Sequence, residues 1–232
     1  MKQSDQGILI HRQNYSESSL LITLFTKNNG IQKFISKGVK KKSGNLNPLG
    51  IYEITFYKSP KQDLGNITEI NQVQVYYNKN TSPLKNIISF FLADLLKQTL
   101  KTETEDQESY SYIYNQIQKL HAVDDFNKFL ILFMINFLDI LGIQPLIEND
   151  NANCFDIQKG TFIYENKETS TQIINPSVQI IIQLIKKTNP NSSELIKHSK
   201  ETLILLIKYC SIHIPNFNMD ESIKIIREIL YD

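Results

Sequence analysis

Tyr15 to Lys42 reads YSESSLLITLFTKNNGIQKFISKGVKKK, and this stretch decides the fold. Two apolar runs of strand length, Leu20 to Phe25 and Ile31 to Lys37, flank a turn punctuated by Gly30, and a lysine-rich loop follows. From Ser18 through Tyr52 there is no Asp or Glu, while Lys27, Lys33, Lys37, Lys40, Lys41 and Lys42 all fall inside that span. The net charge of the whole chain is only +1. Positive charge is therefore concentrated on one small β-rich segment, the electrostatic footprint of a surface that meets phosphate.

The strand pattern continues on both sides of this stretch. Gly7 to Arg12 is another short apolar run. Tyr52, Ile54 and Phe56 alternate with Glu53, Thr55 and Tyr57, the period-2 signature of a strand. Ser59-Pro60 and Gly65 bound an expected hairpin loop, and a last strand, roughly Asn66 to Tyr77, is rich in Val, Ile, Thr and Tyr. Five short strands within residues 1–79 predict a small barrel, because closure removes exposed edges.

At Ser82-Pro83 the periodicity changes to helical, with Leu84, Ile87, Ile88, Phe91, Leu92, Leu95 and Leu96 on one spacing. Ser82 is expected to cap this helix, with Pro83 at its first position. A second helix is expected over Tyr110 to Leu120. A third begins near Asp124 or Asp125 and is apolar nearly all round, from Phe126 to Leu141, so it should form the core of a bundle. Gly142 and Pro145 end it. Residues 146–175 read as an irregular insertion with a small hairpin around Cys154 to Tyr164. Helices then resume at Pro176 to Lys187 behind Asn175, at Ser193 to Ile212, and at Glu221 to Leu230 capped by Asp220. The expected class is α+β, with a five-stranded oligonucleotide-binding (OB) barrel at 1–79 and an α-helical domain at 80–232 that carries the insertion at about 146–175.

Composition and missing motifs narrow the function classes. The chain has 232 residues, 41% hydrophobic and 21% charged, enough apolar content for real cores and charge that suits a soluble protein. Cys154 and Cys210 lie far apart and read as two thiols in a reducing compartment rather than a disulfide. The start, MKQSDQGILIHRQ, has no long apolar run, so no signal peptide is expected. The most apolar stretch, Phe126 to Ile143, is interrupted by Asn127, Lys128, Asn136 and Asp139, so no membrane span is expected and the chain is placed in the cytoplasm. No phosphate loop with GK[ST] occurs, and GxSxG, HExxH and CxxC are missing. His11, His121, His198 and His213 are scattered, with no triad partners in sequence. Glu103, Glu105, Asp106 and Glu108 form a charge run, the mark of a solvated face. Nothing here calls for catalysis or a cofactor.

Lysines in this setting can be solvent decoration. Their place inside an expected OB barrel argues otherwise, because the strand 2–3 face and flanking loops of that fold receive nucleic acid. Aromatic side chains that stack on bases, together with lysines that follow the backbone, bind single strands with little sequence preference. Of the nearby aromatics, Phe25, Phe34 and Phe56 are expected inside, with Ile54. That leaves Tyr15, Tyr52 or Tyr57 to stack.

The order of short motifs resembles a known family. YSESSL (Tyr15 to Leu20), LFTKNNG (Leu24 to Gly30), SKGVKKKS (Ser36 to Ser43) and NPL (Asn47 to Leu49) are similar to the N-terminal domain of RecO, the bacterial recombination mediators of DNA repair. FLADLL (Phe91 to Leu96), LDILG (Leu138 to Gly142) and HIPNF (His213 to Phe217) resemble motifs of the helical domain of that family. The resemblance implies an OB fold followed by helices, and binding of single- and double-stranded DNA with annealing of complementary strands. It also implies partnership with a RecR-like protein and with the acidic C-terminal tail of single-stranded-DNA-binding protein, so that RecA can be loaded. Lys37, Lys40, Lys41 and Lys42 match the basic loop of the family, and Lys33 joins them on charge grounds.

Two departures stand out. Many RecO proteins carry a four-cysteine zinc knuckle after the Leu-Gly helix end, whereas Gln144 to Gln172 holds only Cys154, too few ligands for a tetrahedral site. No structural zinc is expected. The family also places basic side chains on the central helix for the acidic tail. Here Ile131 and Leu132 stand near that turn, and Lys128 is the one cation of that helix, so an apolar groove plus Lys128 is the candidate tail site.

Three functions follow for test: a non-enzymatic DNA-binding mediator and annealer, an OB-plus-helix scaffold that binds proteins only, and a nucleic-acid enzyme with an unrecognised site. Salt-dependent DNA binding separates the first two, and metal-dependent turnover of DNA would mark the third.

Overall fold

Alternation along the first strands sends one set of side chains inward, and closing the sheet buries that set. In the computed structural model of the chain, which describes residues 2–37, 46–59, 62–73, 82–101, 104–165 and 169–231, five strands form a closed barrel. They are β1 (Lys2–Asn14), β2 (Ser19–Thr26), β3 (Gly30–Lys37), β4 (Ile51–Tyr57) and β5 (Leu64–Gln72). The strand order is β1-β2-β3-β5-β4, antiparallel throughout except for the parallel β3–β5 pair. This is a Greek-key barrel of the OB type.

Leu9, Ile22, Leu24, Phe34, Ile54 and Phe56 fill the interior. Phe34 and Phe56 meet edge to face, with centroids 4.9 Å apart. Gly65 is not part of the β4–β5 loop, as its sequence position suggests, but sits within β5. A Cβ there would lie 2.6 Å from Cδ1 of Phe34, so the glycine is required by the close approach of the ring.

Two helices complete the first compact unit, Met1–His121: α1 (Pro83–Thr99) and α2 (Gln107–Ala122). The change of periodicity puts a boundary after residue 79, whereas compaction groups both helices with the barrel. Pro83 starts α1 as expected, but the Ser82 side chain makes no capping bond.

The second unit, Ala122–Asp232, is built on α3 (Phe126–Ile140). Asp125 caps it, accepting from the Lys128 backbone N–H at 3.0 Å. Its end is a Schellman motif: Gly142, at φ +70°, donates to Asp139, and Ile143 donates to Leu138. Leu130, Ile131, Phe133 and Met134 are all buried, as a helix apolar on all sides requires. Around α3 lie α4 (Pro176–Ile185), α5 (Ser192–Lys197) and α6 (Ser199–His213), and the described chain closes with α7 (Asp220–Leu230). The single helix expected from Ser193 to Ile212 is broken at His198. Asp220 is the first residue of α7 and makes no side-chain cap.

The segment read as irregular is a four-stranded sheet: β6 (Leu146–Ile147), β7 (Cys154–Asp156), β8 (Thr161–Ile163) and β9 (Gln172–Ile173), in the order β6-β8-β7-β9. Phe155 and Phe162 stack across its central hairpin at 4.4 Å. Tyr209 of α6 lies 5.6 Å from Phe155 and donates to the Ile143 carbonyl at 2.7 Å, tying sheet and helices together.

Candidate nucleic-acid interface

The outer surface of the barrel has two kinds of wall. On one, Ile8 of β1 pairs with Phe25 of β2 and with Ile51 of β4, and all three point outward yet are buried. Helix α1 packs against β1, and Tyr110 of α2 covers Phe25, its ring 5.7 Å away and its hydroxyl donating to Gln6 Oε1 at 3.1 Å. Phe25 is thus buried, as the sequence predicts, but beneath a helix rather than inside the barrel.

The other wall is β2-β3-β5. Along β3 the residues facing outward are Lys33, Ile35 and Lys37, with both lysines exposed and Ile35 half-buried. Two lysines four strand residues apart stand about 13 Å from each other at a rise of ~3.3 Å per residue. Their register partners are Thr23, Leu21 and Ser19 on β2, and Leu64 and Asn66 on β5. None of these carries a negative charge, and neither lysine has an ion-pair partner among the described residues. The acids nearest these strands are Glu17 in the turn before β2, Asp63 just before β5, and the exposed Glu69 farther along β5, which pairs with Lys2 at 3.6 Å.

The expected aromatics divide cleanly. Tyr52 cannot stack on a base: it is 3% exposed and its hydroxyl accepts from the Asn47 N–H at 2.9 Å. Burial raises its pKa above the usual phenol value, opposed by that hydrogen bond and by Arg12. Tyr15 and Tyr57 are 57% and 48% exposed. Tyr15 lies in the β1–β2 turn, its N–H on Ser19, the register partner of Lys37. Tyr57 pairs with Asn66, which in turn pairs with Ile35. Tyr15 therefore stands by the Lys37 end of the lysine row, and Tyr57 lies across β5, level with its middle. Lys58, absent from the sequence expectation, bonds to the Gln32 side chain of β3 and adds a cation at the β4–β5 end. Its signal in sequence, one lysine after a strand, is too common to stand out. Lys40, Lys41 and Lys42 lie outside the described residues.

Lys128 is exposed on the first turn of α3. Of the apolar residues expected beside it, Ile131 is fully buried and Leu132 half-buried, and the exposed positions in line with Lys128 are Asn136 and Asp139. Cys154 is buried in β7. Among the described residues no group of three His, Cys, Asp or Glu could hold a metal. Neither cysteine is in a disulfide, and burial pushes the Cys210 thiol up to about 12. No helix among the described residues is long and apolar enough to cross a membrane.

Comparison with known proteins gives one consistent match. Sequence models of two domains fit the chain: Recombination protein O N terminal over residues 1–76, and Recombination protein O C terminal over residues 80–226. Three curated relatives are each named DNA repair protein RecO. That of Phocaeicola vulgatus is 25% identical over 99% of both chains. That of Flavobacterium johnsoniae is 24% identical over 99% of both. That of Porphyromonas gingivalis is 25% identical over 91% of this chain and 92% of the relative.

Proposed function

The chain belongs to the recombination protein O family, and from that premise we propose that it is a non-enzymatic mediator that binds and anneals DNA. Membership supports a role in DNA repair and recombination, carried out in the bacterial cytoplasm at the nucleoid. The observation that carries the DNA-binding reading is the exposed pair Lys33 and Lys37, with no acidic register partner and no ion pair among the described residues, flanked by the exposed Tyr15 and Tyr57.

On this reading residues 1–79 do the work on DNA. Lysines take phosphates and release counterions, which makes affinity salt-dependent and indifferent to sequence. Lys40, Lys41 and Lys42 extend the same positive run. Exposed tyrosines stack on the bases of single strands, while the lysines alone serve a duplex. Annealing follows because neutralised phosphates let two complementary strands approach with less mutual repulsion. The helical residues, 80–232, receive proteins: a RecR-like partner and the acidic tail of single-stranded-DNA-binding protein, which together permit RecA to load. Lys128 supplies attraction for that tail, with Asp139 on the same helix opposing it. The competing reading is a protein-only scaffold with the lysines as decoration.

The test is binding of a labelled single-stranded oligonucleotide across a salt series, for the native chain and for Lys37, Lys40, Lys41 and Lys42 changed together to Ala. Each phosphate contact on a single strand contributes about −0.7 to the log–log salt slope. A steep native slope that flattens by about two units or more in the variant is expected. Identical slopes, or no binding, would favour the scaffold.

A further inference from the structure

The barrel unit holds a second feature, apart from the lysine wall. Helix α2 leaves a cleft of about 330 Å³ against the barrel, lined by Gln6, Lys27, Tyr110, Ser111, Tyr114 and Asn115. That size is at the small end of ligand sites, roughly 300–1,000 Å³. Its groups are of three kinds. Tyr110 and Tyr114 lie nearly parallel, at 6.3 Å and 28°, and form a flat aromatic wall of which Tyr114 is the half-exposed part. Gln6 Oε1 is taken by the Tyr110 hydroxyl, which leaves the amide NH₂ of Gln6 to donate elsewhere. The Asn115 amide is exposed and makes no hydrogen bond to the described residues.

The third kind is a cation. The Lys27 ammonium has no ion-pair partner among the described residues, while its backbone is fixed by an N–H bond of 2.8 Å to the Gln6 carbonyl. The turn that carries it is clamped by the buried carboxylate of Asp5, which accepts from the Asn28 and Asn29 side-chain amides at 2.8 and 2.7 Å. That same turn opens into β3 at Gly30, and Lys27 stands six residues before Lys33. A strand lying along the lysine wall is thus led by continuous hairpin to Lys27.

We infer that this cleft receives one unpaired nucleotide of a bound single strand: the base on the Tyr114 ring, its edge on the Asn115 and Gln6 amides, its phosphate at Lys27. The inference rests on the reading that the barrel binds DNA, and adds to it a preference for single strands. A paired base has its edge engaged and its face covered by neighbours, so a duplex cannot use the site. Burial, first of all, holds the Tyr110 phenol well above its usual pKa, so it stays the donor to Gln6 and the Gln6 NH₂ stays free for the base.

The experiment compares a single-stranded oligonucleotide carrying 2-aminopurine with a hairpin duplex, for the native chain, Tyr114→Ala, Tyr114→Phe and Lys27→Gln. Loss of one base stack should weaken single-strand binding about tenfold in Tyr114→Ala, with duplex binding within about twofold and the 2-aminopurine quenching lost. Tyr114→Phe keeps the ring and should bind as the native chain does. Lys27→Gln should lower the single-strand salt slope by about 0.7 and leave the duplex slope unchanged. Native-like binding and quenching in Tyr114→Ala and Lys27→Gln would overturn the cleft while the barrel reading stands. Equal losses for single strand and duplex would also overturn it, by showing a structural role. A native chain that binds neither probe would remove the barrel reading itself.

Discussion

On β2, Leu21 and Phe25 both point out of the barrel, four residues apart, yet one is half-buried beside Ile35 and the other fully buried beneath Tyr110. The same strand contributes to a wall that a helix covers and to a wall left open. On the covered wall the outward residues are Ile8, Phe25 and Ile51; on the open wall they are Lys33, Ile35 and Lys37. Stability of the outer barrel is therefore concentrated on one side and charge on the other. A surface that binds phosphate must keep its lysines solvated and without acidic partners, and such lysines add little to folding. The division lets each wall be changed without the other.

The largest effect is expected on the covered wall. Phe25→Ala removes a fully buried ring and should cost about 3–5 kcal/mol in denaturant unfolding, while the salt slope of whatever remains folded is unchanged. A loss below about 1 kcal/mol, the size of an ordinary surface substitution, would mean that α2 does not seal this wall. Inside the barrel, Gly65→Ala sets a methyl against Phe34 and should cost about 1–3 kcal/mol, a sign that the interior is as closely fitted as the covered wall.

The open wall should respond in the opposite way. Lys33→Ala with Lys37→Ala should leave stability within about ±0.5 kcal/mol and reduce the single-strand salt slope by about 1.4 units. If stability fell instead and the slope held, the two walls would have exchanged roles.

The smallest effect is one of pH. Burial, helped by Lys97 and opposed by Gln13 and Asp94, lowers the pKa of His11 below its ordinary 6.5. The folded chain then resists the proton that the unfolded chain accepts, so stability is fully present above about pH 6.5 and falls as pH drops through the folded value. His11→Gln should shrink that acid-side loss. Unfolding midpoints at pH 7.5 and 5.5 check it, and an equal loss in both proteins would remove His11 as a cause.

Much of this barrel is legible in the sequence, because alternation sets strand faces and the lysine run needs no tertiary context. Removing the expected core leaves Tyr15, Tyr52 or Tyr57 as outward aromatics, and the structure exposes Tyr15 and Tyr57 and buries Tyr52. What escaped depends on contacts far apart in sequence. Nothing local to Phe25 says that Tyr110 will cover it, nor that Gln6 and Tyr110 will bound a cleft with Lys27. Gly65 reads as a turn because a glycine demanded by a nearby ring looks the same as one demanded by a bend. The strands of the small sheet are two or three residues long, too short to show a period, so Leu146–Ile147 and Gln172–Ile173 read as irregular. The apolar spacing runs on through His198 and hides the break between α5 and α6. The burial of Ile131 is hidden because a helix apolar on nearly every side shows little pattern to tell one apolar face from another.

The most direct test of the division between walls is lysine footprinting, in which amine acetylation is mapped by mass spectrometry with and without a single-stranded oligonucleotide. The account predicts protection of Lys33 and Lys37 on the open wall, with Lys128 of α3 and the exposed Lys208 of α6, both in the second unit, as reactive as in the free chain. Unchanged reactivity at Lys33 and Lys37, with protection confined to Lys128 and Lys208, would contradict it.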